Sequence, residues 1–163
     1  MRILKIFILL FIILLINSCS KAYKPEQPEG RIPPSNVPIV SAQDVSVLTP
    51  EEVVALYFQA WNNKQYNIMY SLISDGFKQI EPTAKTFEDF KVYMASFFET
   101  SSSIDIIQAK ASYQNEVESG VGYKIEITKK DSTRKIFSSF YTLKKRQNGW
   151  KLIHPYGENI DTS

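Results

Sequence analysis

A change of hydrophobic period near Ile104 limits this chain more than any other feature. Before it, apolar residues recur at helical spacing; after it, they alternate every second residue. The helical half opens at residues 49–70. Thr49 is a fitting N-cap, Pro50 suits the first helical position, and Glu52 completes a capping box. Val54, Tyr57, Phe58 and Trp61 then form one stripe, flanked by Val53, Leu56 and Ala60, while Gln59, Asn62 and Asn63 fall outside it. Such a broad stripe suits a helix lying across a sheet. Asn62-Asn63-Lys64 interrupts it. Ile68, Met69, Leu72 and Ile73 make a second, shorter stripe that should stop at Asp75-Gly76. Thr86-Phe87-Glu88-Asp89 opens a third helix, with Phe90, Tyr93, Met94 and Phe97 on its inner face and a serine run, Ser101 to Ser103, at its end.

The period-two half predicts four strands. Val121, Tyr123, Ile125 and Ile127 share one face, as do Phe137, Ser139, Tyr141 and Leu143, and then Trp150, Leu152, His154 and Tyr156. Ile104 and Ile106 change phase to Ile107, Ala109, Ala111 and Tyr113, which predicts a bulge or a bend. Turns are expected at Glu118-Ser119-Gly120, at Lys130-Asp131-Ser132-Thr133 and at Gln147-Asn148-Gly149, the last with an Asn-Gly hairpin signal. Three helices followed by four strands give an α+β fold, with the N-terminal helices packed on one face of a curved antiparallel meander.

The first 48 residues read as delivery and tether. Arg2 and Lys5 precede an unbroken apolar run over residues 6–16, then Asn17, Ser18 and Cys19. This is the order of a secretory signal, and the run is shorter than the ~20 residues needed to span a membrane. Cys19 is the chain's one cysteine. Ile16, Ser18 and Cys19 resemble the lipobox of bacterial lipoproteins. That resemblance implies a signal peptide over residues 1–18, cleavage before Cys19, and lipid on the Cys19 sulfur, with acyl chains holding the protein on a membrane of the cell envelope. Ser20 in place of Asp implies the periplasmic face of the outer membrane in a double-membraned cell, and otherwise the outer face of the cell membrane. Residues 19–48 carry five prolines and few aromatics, so they read as a Pro-rich tether. Its reach is about 30 Å as a coil and about 90 Å as polyproline II. An edge strand over residues 37–47 is the competing reading. Residues 49–157 would then be the domain and 158–163 a tail.

Removing Arg2 and Lys5 from the 19 basic residues leaves them equal in number to the 17 acidic ones. The remaining chain is neutral and has no general attraction for nucleic acid. One histidine, no domain cysteine and no convergent carboxylates make a metal site improbable, and no nucleophile elbow or phosphate-binding glycine loop is present. No cofactor is expected.

The first-helix residues Pro50-Glu51-Glu52-Val53-Val54, Tyr57-Phe58, Ala60-Trp61 and Asn63-Lys64-Gln65-Tyr66 resemble the opening of nuclear transport factor 2-like, cystatin-like cone proteins. They are similar above all to the N-terminal extension of some penicillin-binding transpeptidases. Asn148-Gly149-Trp150-Lys151-Leu152 resemble that superfamily's final strand. Gln65 stands where many members have Asp, so no role of that Asp carries over. The resemblance implies a cone whose interior is lined here by Tyr57, Trp61, Tyr93, Phe97, Tyr123 and His154, and a homodimer through the open face of the sheet as one option.

Members that isomerise or cyclise carbonyl compounds resemble a carboxylate base facing acidic donors. By that analogy Asp105, Glu126 or His154 would be the base, and Tyr57, Tyr93 and Tyr123 the donors. Yet Glu126 alternates with the apolar face and reads as solvated, and His154 shares a face with Trp150, Leu152 and Tyr156. The primary expectation is therefore a non-catalytic, lipid-anchored protein whose cone binds an envelope protein or a small apolar ligand. The alternatives are a small isomerase or cyclase and an accessory of cell-wall synthesis. Lys129, Lys130, Arg134 and Lys135 at one hairpin tip, and Lys144, Lys145 and Arg146 at the other, read as solvated ends that discourage edge pairing. Contact with anionic lipid or wall polymer is their functional alternative.

Overall fold

A computed structural model describes residues 44–156. The expected signal peptide, Cys19, most of the expected tether and the expected tail lie outside the described residues. Among these, four α-helices precede four strands: α1 Pro50–Asn62, α2 Tyr66–Leu72, α3 Asp75–Ile80, α4 Phe87–Ser96, then β1 Ser101–Gln114, β2 Glu118–Lys129, β3 Arg134–Arg146 and β4 Gly149–Leu152. No helix of the described residues is long and apolar enough to cross a membrane.

The fold begins upstream of the expected boundary at residue 49. A 3-10 turn, Asp44–Val47, packs on β4, and Val45 and Leu48 are buried in the core. Burial of these two apolar side chains stabilises the turn against the core. Thr49 then caps α1 through a complete capping box: its hydroxyl accepts from the Glu52 amide at 3.3 Å, and the Glu52 carboxylate accepts from the Thr49 amide at 2.8 Å. Val53, Val54, Leu56, Tyr57, Phe58 and Ala60 are all buried, so α1 lies across the sheet as its broad stripe predicts.

The second helical stripe does not end at Asp75-Gly76. Ile73 is extended and bridges Leu152, and Ser74 then caps a new helix, its hydroxyl accepting from the Phe77 amide at 3.2 Å. Gly76 thus sits inside α3 rather than ending α2. A serine cap outweighs a glycine in the first turn, where few intrahelical bonds are at stake. On α4, Phe90 and Met94 are buried as expected, whereas Tyr93 is 44% exposed.

The sheet is an antiparallel meander in the order β1-β2-β3-β4. β1 starts at Ser101, three residues before the period change. Its pairing with β2 slips between Ile106 and Gln108, where the phase change predicts a bulge, and also at Ser101/Ser103 and Ala111/Tyr113. These slips bend and twist the strand, and the sheet curls into a half-barrel around the helices. The first turn falls at residues 115–117, not at Glu118-Ser119-Gly120. Asn115 accepts from the Val117 and Glu118 amides, while Ser119 and Gly120 are buried in β2. Gly120 marks close packing instead of a turn: the rings of Tyr113 and Phe140 occupy the space where a Cβ would stand. The other two turns fall where expected. β4 ends at Leu152, so His154 and Tyr156 lie beyond the strand and do not continue its alternation.

Candidate functional site

α1, α4 and the inner face of β2 and β3 line an open cavity of about 600 Å³. Its helical wall is Phe58 and Trp61 from α1 with Tyr93, Met94 and Phe97 near the end of α4; its sheet wall includes Tyr123, Ile125, Ile127, Phe137 and Tyr141; Pro155 and Tyr156 complete it. Every side chain contributed by this lining is apolar, aromatic or a neutral hydroxyl.

The aromatic rings form one connected cluster. Tyr123 and Tyr141 lie 4.5 Å apart between ring centres, Phe58 is 4.9 Å from Tyr123 and stacks on Tyr141 at 5.9 Å, and Trp61 is 4.6 Å from Phe97. These are attractive spacings for aromatic pairs. Trp61 is oriented by its indole Nε1, which donates to the Met94 carbonyl at 3.1 Å and ties α1 to α4. Tyr93 and Tyr156 pair at 4.6 Å across one end.

The polar features of the site are phenols and the hydroxyls of Ser96, Ser138 and Ser139. The Tyr141 hydroxyl donates to the Pro155 carbonyl at 2.8 Å, and Thr83 donates to the Tyr156 hydroxyl at 3.2 Å. Burial is the main reason that Tyr57 and Tyr141 have pKa values raised well above that of a free phenol, with neighbouring phenols adding to it. Burial likewise pushes Tyr156 up to about 12. These groups keep their protons at neutral pH and cannot serve as bases there. Tyr57 is fully buried, and its hydroxyl has no hydrogen-bond partner among the described residues. Leaving such a group unsatisfied costs about 1–3 kcal/mol. Tyr57→Phe is therefore expected to raise stability by about 1 kcal/mol in urea unfolding, and a loss of that size would show that the hydroxyl has a partner.

Of the six residues expected to line the cone, Trp61, Tyr93, Phe97 and Tyr123 do so. Tyr57 does not: it stands behind the wall, packed edge-on against Phe58 and Tyr141. His154 does not either. Because β4 stops at Leu152, the chain turns away, and His154 lines a different cleft, 6.4 Å from the Phe77 ring. The candidate carboxylates are also elsewhere. Asp105 is exposed and accepts from Ser103 Oγ at 3.0 Å and Asn62 Nδ2 at 3.5 Å. Glu126 points to the outer face of β2, where Arg134 lies 3.8 Å away. Among the lining residues that sequence reasoning missed are Phe58, Met94, Phe137, Tyr141 and Tyr156. All five sit in recognised stripes, but a stripe marks the inner face and does not say which part of that face stays unfilled.

The second cleft, of about 950 Å³, lies between α3, the β3–β4 hairpin and the segment after β4. It is lined by Lys78, Lys144, Arg146, Lys151 and His154 above an apolar floor that includes Ile73 and Phe77.

No protein-family model matches the sequence, and no curated protein matches it. Solved structures do match. A SEC-C motif-containing protein of Rhodopseudomonas palustris superposes with a TM-score of 0.53 at 11% identity, over 71% of this chain and 82% of that one. A protein of unknown function with a cystatin-like fold from Nostoc punctiforme gives 0.48 at 12% identity, over 63% and 81%. A candidate NTF2-like transpeptidase of Campylobacter jejuni gives 0.41 at 14% identity, over 65% and 98%. At such identities the likeness concerns the backbone alone. With helices packed on a curled antiparallel half-barrel, the chain has the nuclear transport factor 2-like cone fold.

Proposed function

We propose that this chain is a lipid-anchored envelope protein whose cone holds a small, planar, apolar ligand carrying a hydrogen-bond acceptor, and performs no chemistry on it. The observation that carries this reading is the cavity wall: aromatic rings packed against one another, with the neutral hydroxyls of Tyr123, Ser96, Ser138 and Ser139 among the lining. Flat apolar surface recognises a flat apolar molecule, and a few hydroxyls orient it. An isomerase or cyclase would require a carboxylate or imidazole within about 3 Å of the substrate proton. Asp105, Glu126 and His154 are absent from the cavity lining among the described residues. The anchoring part of the proposal rests on the position of Cys19 in a lipobox-like sequence.

The ligand is tested with 2-naphthol, titrated into the full chain in nanodiscs with empty nanodiscs as reference. Saturable binding is expected, weakened about tenfold or more by Ser139→Trp, which would fill the sheet wall. Binding that is absent, or indifferent to that substitution, sinks the cavity reading. The anchor is tested by labelled-palmitate incorporation: labelling of the natural chain should vanish in Cys19→Ala, and equal labelling refutes it.

A further inference from the structure

We infer that the cleft between α3 and the β3–β4 hairpin is a second binding site, built for the phosphoryl group of an anionic ligand. It is separate from the aromatic cavity and has no lining residue in common with it. The first observation is a gathering of cations. Lys144 and Lys151 are partners in the β3–β4 register, and both line the cleft. Lys78 lines it too and is the like charge that acts on Lys151.

The second observation is how Lys151 is held. It sits in the middle of a strand whose every residue is buried, with a relative exposure of 8%. Its Nζ donates to the Ser71 carbonyl at 2.7 Å. An ammonium has three donors, so this contact leaves two. No carboxylate pairs with Lys151, Lys144 or Arg146 among the described residues. Burial, and then Lys78, lower the Lys151 pKa, with Asp75 opposing them. The cleft as a whole sets four cationic side chains against one carboxylate, Asp75, which already pairs with Lys78 at 3.1 Å.

Ordinary folding does not favour this arrangement. Surface lysines normally extend into water, and an unpaired buried ammonium costs free energy that a neutral residue would not. Places where a chain breaks such a local rule tend to be functional. An anion seated among Lys151, Lys144, Lys78 and Arg146 would offset the repulsion and use the free donors of Lys151. Several cations around one cleft suit a phosphoryl group, whose oxygens accept from several directions. The phosphoryl group could belong to a phospholipid head group or to a soluble phosphate compound.

The test uses the full chain in phosphatidylcholine nanodiscs, titrated calorimetrically with inorganic phosphate and with dihexanoyl-phosphatidylglycerol, and with sodium chloride at equal ionic strength as control. At least one phosphoryl probe should bind saturably where chloride does not. Binding should weaken with added salt and fall about tenfold or more in the rim double variant Lys144→Gln, Arg146→Gln, which leaves the buried Lys151–Ser71 contact in place. Lys151→Gln should abolish binding, with circular dichroism checking that the domain stays folded. Phosphate binding as tightly as the lipid identifies a soluble source, and a lipid bound at least tenfold more tightly identifies a head group. Either supports the site. Absence of binding to both probes, or binding unchanged in the rim double variant, overturns it. Neither outcome bears on 2-naphthol binding, so this site and the aromatic cavity stand or fall separately.

Discussion

Phe58→Ala is expected to destabilise the domain by about 3–5 kcal/mol and to lower Tm by roughly 10–25 °C. Phe58 is buried on α1, between Trp61 on its own helix and Tyr123 and Tyr141 on the sheet. Its ring is thus the link between the helical layer and the sheet layer. Truncation removes the transfer free energy of the ring, leaves a hole, and also takes away ring–ring contacts worth about 0.5–1.5 kcal/mol each. The hole would merge with the ligand cavity, because Phe58 is part of its wall. The same variant should therefore lose affinity for 2-naphthol. Urea unfolding followed by circular dichroism gives the stability change. A loss below about 1 kcal/mol would mean that the aromatic cluster closes over the gap, so that the cavity is not held open by rigid walls.

Gly149→Ala is expected to cost about 2–4 kcal/mol. Gly149 opens β4 at φ +100°, a conformation that side chains rarely adopt. A Cβ there would also stand 2.7 Å from the Val45 carbonyl oxygen and 3.0 Å from the Ser46 Cα. Both neighbours are backbone, so neither can swing aside as a flexible side chain could. The methyl must push the Asp44–Val47 turn off the hairpin or distort the hairpin itself. Gly76→Ala is the matched comparison. Nothing lies within 4 Å of its added Cβ, and it sits inside α3. Alanine there should be neutral or stabilising, by up to about 1 kcal/mol. Chemical unfolding of the two variants side by side separates the effects. If Gly149→Ala proves as mild as Gly76→Ala, the turn before residue 49 is not part of the folded unit.

The element types were legible from residues, because period and caps are local properties. Thr49-Pro50-Glu51-Glu52 specifies a helix start whatever lies around it, and the phase change from Ile106 to Ile107 requires an extra residue in the strand. The errors occur where a local signal meets a distant one. Asp75-Gly76 resembles a stop until Ser74 is seen to cap the next helix. Ser119-Gly120 resembles a turn until Tyr113 and Phe140 are seen folded over the glycine. His154 keeps the strand's alternation on paper, but the ladder ends at Leu152.

The candidate sites divide along the same line. The aromatic stripes of α1, α4, β2 and β3 could be read directly, since they repeat at the spacing of their own elements. That Tyr141, though buried, forms part of the cavity wall while Tyr57 stands behind it depends on how α1 sits on the sheet, which no spacing along the chain records. The basic cleft was less legible still. Lys78 is remote in sequence from Lys144 and Lys151, and Lys144 and Arg146 read as an ordinary charged hairpin tip. By itself the sequence determined a helical layer, a bulged antiparallel meander and an aromatic interior, because these follow from side-chain periodicity. Tertiary structure alone decided which part of the interior stays open and which charges converge, because both depend on register and on packing between elements remote in the chain.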